Sequence, residues 1–303
     1  MNIMKLKGKS GISLKIILLA GLVGFSVLTA LRFYQTFALI DGSTGFFTSN
    51  NITVILMYAL LALCIIGVIC LCYVCGDLPT GKSAEKVSFV SAAAGFLFSI
   101  VLMYDGLKDL FSANVFGRGE FSVALLKDAL GGSIGFMSVI FAILGSIVIL
   151  IETLFVAGGK KIPAFLKLPM LLPVLWAFTK TLGFFSVTVS YIKVSQLFFA
   201  IFSAAFLMVF LFENARMASD IGRKNAVWFF FASGIIAAGL SFSASLPYLA
   251  AAIIAPEKIV SYCPFEIYNI AGGIYCIAAM IRRLGVSTSE DEGPSENIVT
   301  ETL

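Results

Sequence analysis

Lys180 stands inside an apolar stretch with Trp176 one helical turn before it and Gly183 one turn after. An ammonium at bilayer depth costs about 2.5 to 3.5 kcal/mol on insertion scales, so such a side chain faces a partner or a water-filled cavity. It lies eleven residues beyond Pro169, about 16 Å along a helix and near the middle of a roughly 30 Å hydrocarbon layer. Its natural partner in the sequence is Glu266, the acid in the outer part of the last apolar stretch, on a face that continues through Asn269, Gly273 and Cys276. Lys180, Glu266, Trp176 and Asn269 are therefore the candidate binding residues. Three readings stand open: a binding or ion-coupling site, a structural ion pair stabilised by further hydrogen bonds, and a lysine whose four-carbon stem carries its charge to the interface.

A second polar group lies nearer the cytoplasmic side, where Glu152, Glu213, Asn214 and Arg216 come to similar depth. Glu213 and Arg216 are three apart and can pair on one helix, or Glu152 can take Arg216 across the bundle. The group reads as a clamp or a gate. Arg32 and Asp105 could form a similar clamp on the outer side.

Other chemistry lacks its residues. The chain contains no histidine, which removes the usual proton shuttle and metal ligand, and no cofactor is implied. Cys70, Cys72 and Cys75 do not share one helical face, so a metal or redox centre there is not expected. No G-x-S-x-G elbow, Walker loop or G-x-G-x-x-G fingerprint is present. Glu266 is far from Glu152 and Glu213, which leaves no opposed acid pair for proteolysis. An enzyme is not the expected reading.

The elements that must position these residues are membrane helices. Hydrophobic residues make up 59% of the chain, charged residues 13%, and the mean hydropathy is +1.01. A span needs roughly 20 apolar residues, which places helices near 13–31, 52–74, 89–104, 133–157, 169–190, 196–217, 227–250 and 262–282. The third continues to Leu110 if Asp105 and Lys108 lie at the interface, and the seventh is broken late by Pro247. The expectation is an all-α polytopic membrane bundle of about eight transmembrane helices over 1–283, followed by a disordered acidic cytoplasmic tail over 284–303.

Basic residues set the orientation, because Lys and Arg accumulate in cytoplasmic loops. With the N-terminus inside, the cytoplasmic segments hold Lys5, Lys7, Lys9, Lys15, Lys82, Lys86, Lys160, Lys161, Lys167, Arg216, Arg223, Lys224, Arg282 and Arg283, fourteen of the 21 basic residues. Both termini are then cytoplasmic. The scattered positive charge forms no footprint for nucleic acid. The first helix reads as an uncleaved signal anchor.

Small residues mark the faces that hold helices together. Ser91, Gly95 and Ser99 repeat every fourth position in the third helix, as do Ser233, Ala237, Ser241 and Ser245 in the seventh. Asp41 to Gly45, followed by Phe46 and Phe47, reads as a tight outer turn. In the segment 105–132, Val123, Leu126, Ala129 and Leu130 can share one face of a short interfacial helix, with Glu120 and Asp128 turned away. A shift of 142 residues aligns Lys82 with Lys224, Phe89 with Phe231, Ser91 with Ser233 and Ser99 with Ser241. That register is compatible with two parallel four-helix repeats of about 1–168 and 169–283, although it fails in helices four and eight.

Leu31-Arg-Phe-Tyr-Gln35, Ile40-Asp41 leading into Thr44-Gly-Phe-Phe47, Leu175-Trp176 and Leu211-Phe-Glu-Asn-Ala-Arg216 together resemble uncharacterised multispanning proteins of anaerobic Gram-positive bacteria. The resemblance covers spans one, two, five and six. It implies a bacterial cytoplasmic membrane and no particular activity. Two functions follow as expectations: a channel or transporter-like protein moving a small solute or ion past Lys180 and Glu266, or a non-transporting scaffold or sensor that binds a membrane-protein partner.

Overall fold

The computed structural model describes residues 14–41, 46–47, 52–75, 89–112, 123–186, 195–219, 226–258 and 266–287. Its long helices are α1 (Leu14–Ala38), α2 (Ile52–Cys75), α3 (Phe89–Ser112), α5 (Ser133–Ala157), α7 (Leu172–Phe185), α8 (Ser195–Ala218), α9 (Ala226–Ile254) and α10 (Ile267–Ser287), with short α4 (Val123–Ala129) and α6 (Ala164–Lys167) between them. Among the described residues, seven helical stretches are long and apolar enough to cross a membrane: α1, α2, α3, α5, the run from α6 to α7, α8 and α9. The chain is an all-α, multi-pass membrane protein. The eighth expected span, α10, is not among the seven, because Asn269, Arg282, Arg283 and its glycines dilute its apolar content. It is nonetheless packed into the bundle, with Tyr268, Ala271, Tyr275, Cys276 and Met280 buried.

The long helices alternate in direction. The end at which α1 begins is here called proximal and the opposite end distal. α9 occupies the centre, against α1, α2, α8 and α10, while α5 lies between α3 and α7. α2 is peripheral, with Ile55, Leu63 and Ile66 facing outward. In water so much exposed apolar surface would drive association; in a bilayer it is the lipid face.

The small-residue stripes are packing faces. Gly95 of α3 lies so close to Thr153 of α5 that an added Cβ would collide with its hydroxyl, and Ser99 Oγ donates to Ser146 O at 2.8 Å. In α9 Ser233, Ala237, Ser241 and Ser245 are all buried, and Gly239 receives the ring of Phe25 from α1 where any side chain would overlap it. Thr29 and Ser243 join α1 to α9 by a hydroxyl pair at 2.9 Å.

Five helices differ in their limits from the sequence reading. α1 runs on to Ala38, seven residues past the expected end, and buries Arg32, Gln35 and Thr36. α3 runs on to Ser112, two residues beyond the expected Leu110, and Asp105 is buried within it. α9 continues through Pro247 to Ile254; the missing N–H frees the carbonyl of Ser243, four residues back, a break that membrane helices tolerate inside a bundle, and at the neighbouring position Gln196 Nε2 of α8 donates to Ala244 O at 3.0 Å. The fifth span is Ala164–Phe185, earlier than expected, because Pro163, Pro169 and Pro173 occupy the cap and first-turn positions of its short successive pieces, where a missing N–H costs nothing. α10 extends to Ser287; the tail beyond lies outside the described residues.

On the distal side, Asp41 N donates to Phe46 O at 2.9 Å and Ile40 bridges to Phe47; residues 42–45, where the tight turn was expected, lie outside the described residues. α4 forms where the interfacial helix was expected, with Leu126 buried and Lys127 and Asp128 exposed. Ala129 is exposed as well, a departure from the expected apolar face, and Glu120 and the Val123 side chain lie outside the described residues. Gly131 and Gly132, at φ 77° and 98°, make the turn into α5 in the left-handed region that favours glycine.

Candidate functional site

Trp176 and Lys180 are one turn apart on α7, and both reach Asp105 of α3. Lys180 Nζ lies 2.9 Å from Asp105 Oδ2 and 3.3 Å from Asp109 Oδ2, and Trp176 Nε1 donates to the same Asp105 oxygen at 3.3 Å. The ammonium also sits 5.7 Å from the ring centroid of Tyr268 on α10, an arrangement that attracts a cation to the aromatic face. Glu266, at the start of α10, belongs to the same electrostatic neighbourhood as Lys180, Asp105, Lys108 and Asp109. The cluster therefore unites Lys180, Trp176 and Glu266, as expected from sequence. The ion pair itself is made by Asp105 and Asp109 in place of Glu266.

Two expectations need correcting here. Lys180 is five residues from the end of α7, about 7.5 Å, and so lies toward the distal end of its helix and past the middle of the Ala164–Phe185 stretch. Exposure rises in the same direction, from 4% for the Asp105 side chain to 37% for Asp109. Arg32 does not clamp Asp105. Its Nη2 donates to Gln196 Oε1 at 3.0 Å, and its guanidinium lies 4.6 Å from the Phe199 ring centroid.

The proximal cluster centres on Glu152 of α5. Asn214 Nδ2 of α8 donates to Glu152 Oε1 at 3.1 Å and to Tyr275 Oη at 2.9 Å. Tyr275 of α10 in turn donates to Glu152 Oε2 at 3.1 Å. All three side chains are buried, with exposures of 4% for Glu152, 3% for Asn214 and 4% for Tyr275. Arg216 pairs with Glu213 at 2.8 Å on its own helix, which excludes the cross-bundle Glu152–Arg216 clamp and leaves Glu152 with neutral donors. Two small cavities adjoin it. One is lined by Glu152, Tyr275, Ser91 and Arg282 among others, the second by Glu152, Asn214, Tyr275 and Pro173 among others; each has room for about one water.

Aromatic rings connect the clusters. Tyr268 meets Trp176 edge to face at 5.0 Å, Trp176 meets Phe98 at 6.2 Å, and Phe98 stacks on Tyr275 at 5.3 Å. Trp176 and Phe98 are fully buried. Asn269 belongs to neither cluster: its Oδ1 accepts from Ser203 Oγ at 2.9 Å, and Ser203 lies 3.0 Å from Ser241. Ser203 has one proton and spends it on Asn269, so Ser241 must be the donor in the second bond.

Sequence reasoning missed Asp109, Tyr268 and Tyr275. The signals were present, in the four-residue spacing of Asp105 and Asp109 and the seven-residue spacing of the two tyrosines, each of which puts a pair on one helical face. Among the described residues, no group of three or more Cys, Asp and Glu is placed to hold a metal ion. The arrangement can hold charge at two depths and exclude water between them.

Comparison with protein-family models, curated proteins and solved structures finds no match to this chain.

Proposed function

We propose that this protein resides in a bacterial cytoplasmic membrane with both termini inside and moves a small ion or solute along the interface of α3, α5, α7, α8 and α10. The distal cluster of Lys180, Asp105, Asp109 and Glu266 is the outer station, and Glu152 with Asn214 and Tyr275 is the inner one. One observation carries the reading: the two buried polar stations lie in the same helix interface on either side of a closed aromatic line, Trp176–Phe98–Tyr275. Ionisable side chains at membrane depth are expensive, and they are kept where they line a path. A scaffold needs no such series. The conformation described is then a closed one, with Phe98 as its barrier.

Water access tests the reading. Trp176→Cys, Lys180→Cys, Gly183→Cys and Glu266→Cys are each made in a cysteine-free background and exposed to membrane-impermeant thiol reagents from either side. Labelling at Lys180 and Glu266 from the outside, with Trp176 gaining label when Phe98 is also replaced by Ala, is the expected result. Folded protein that labels at none of the four positions from either side would overturn the path and favour the non-transporting scaffold.

A further inference from the structure

Glu152 is a buried carboxylate whose hydrogen-bond partners, Asn214 and Tyr275, are neutral, and among the described residues it forms no ion pair. Asn214 spends both amide protons, on Glu152 and Tyr275. Its own carbonyl, Oδ1, is buried, makes no hydrogen bond, and belongs to a residue lining the second cavity. A buried amide oxygen left without a partner keeps its desolvation cost uncompensated, and so calls for an occupant in that space. We propose that Glu152, Asn214 and Tyr275 form a binding site for one Na⁺-sized monovalent cation.

The donor set selects the ligand class. The unpartnered amide carbonyl lies on a residue that lines the same cavity as the Glu152 carboxylate and the Tyr275 phenol, and all three groups offer hard oxygens that suit a hard cation. The site carries one formal negative charge, so a monovalent ion neutralises it at a depth where uncompensated charge is costly. A divalent ion would leave a positive charge facing Arg282 across the first cavity; Mg²⁺ would also need several waters, for which there is no room. An anion is repelled by Glu152. A proton on Glu152 would satisfy the charge, but Asn214 turns Nδ2 and not Oδ1 to the carboxylate, so the carbonyl would still lack a partner. The groups facing Glu152 are Ser91 of α3, Asn214 of α8 and Tyr275 and Arg282 of α10, and Arg282 is placed to compete for the carboxylate when the cation leaves. The assignment deepens the proposed path and rests on it for a role in coupling, though not for the binding.

The test is the melting temperature of the purified full chain in nanodiscs, titrated with NaCl against choline chloride at constant ionic strength. Ligand that binds only the folded state raises stability by mass action. A saturable rise in Na⁺, absent in choline, is expected; Glu152→Gln abolishes it, and Tyr275→Phe moves its midpoint about tenfold higher, the order expected for one lost contact to a charged group. Glu257→Gln, at an exposed position between α9 and α10, keeps the full response. Identical melting in Na⁺ and choline would overturn the site and leave a water as its occupant. A response to pH without one to Na⁺ would overturn it too, in favour of a proton. If Glu152→Gln does not fold, the wild-type titration and Tyr275→Phe decide. Because no transport is measured, a Na⁺ response with no cysteine labelling would refute the path alone, and labelling without a Na⁺ response would refute the cation site alone.

Discussion

Phe98 and Tyr275 stack with ring centroids 5.3 Å apart and planes 23° from parallel. The Tyr275 hydroxyl at the far side of that stack donates to Glu152, while the other side of Phe98 meets Trp176, whose indole donates to Asp105. Three rings thus stand between two hydrogen-bonded carboxylates, with the phenyl ring of Phe98 in the middle.

Removing that ring should open the barrier and weaken the fold together. Phe98→Ala is expected to cost about 3 to 5 kcal/mol, the range for emptying a buried aromatic site, and to raise the passive ion leak of proteoliposomes. Phe98→Leu, which keeps most of the apolar volume, should recover most of the stability. Leak and thermal denaturation, measured on both variants, check this; an unchanged leak in folded Phe98→Ala would show that the ring is packing and no barrier.

The Lys180–Asp105 pair should show strong coupling. Asp105→Asn leaves the ammonium with the more exposed Asp109, and breaking a buried pair from one side costs about 3 to 5 kcal/mol. Lys180→Met combined with Asp105→Asn should cost less than the two single changes added. A double-mutant cycle read by reversible unfolding measures this; simple additivity would mean that solvent already screens the pair.

α1 should be held to α9 by the fit of Phe25 over Gly239. A methyl at Gly239 must overlap the Phe25 ring, so Gly239→Ala is expected to lose about 1 to 3 kcal/mol, as overpacked cores do. Phe25→Leu in the same chain should restore part of it. Partial rescue in thermal melts is the signature of this contact.

Ser203→Ala should be milder. It leaves Asn269 Oδ1 and the Ser241 hydroxyl without their shared partner, and a hydrogen bond between membrane helices is worth about 0.6 kcal/mol on average and up to about 1.7 kcal/mol. Because Asn269 belongs to neither station, Na⁺-dependent melting should persist in this variant.

Helix existence and order were readable without coordinates, since the cost of placing a segment in lipid depends almost entirely on that segment's own residues. The limits of α5 agree with the expectation, 133–157, and α2 and α8 agree to within one residue. The small-residue faces were readable for the same local reason: Gly95 and the serines of α9 announce close approach wherever the partner comes from. Partner choice was not readable. Lys180 takes Asp105 and Asp109 from α3, and Glu152 takes Asn214 and Tyr275 in place of Arg216, because pairing depends on how each helix is rotated and slid against its neighbours. A few ångströms of slide bring a different turn of the facing helix opposite Lys180, and that slide is set through α5, where Thr153 packs on Gly95 of α3 and Gly145 packs on Pro173 of α7.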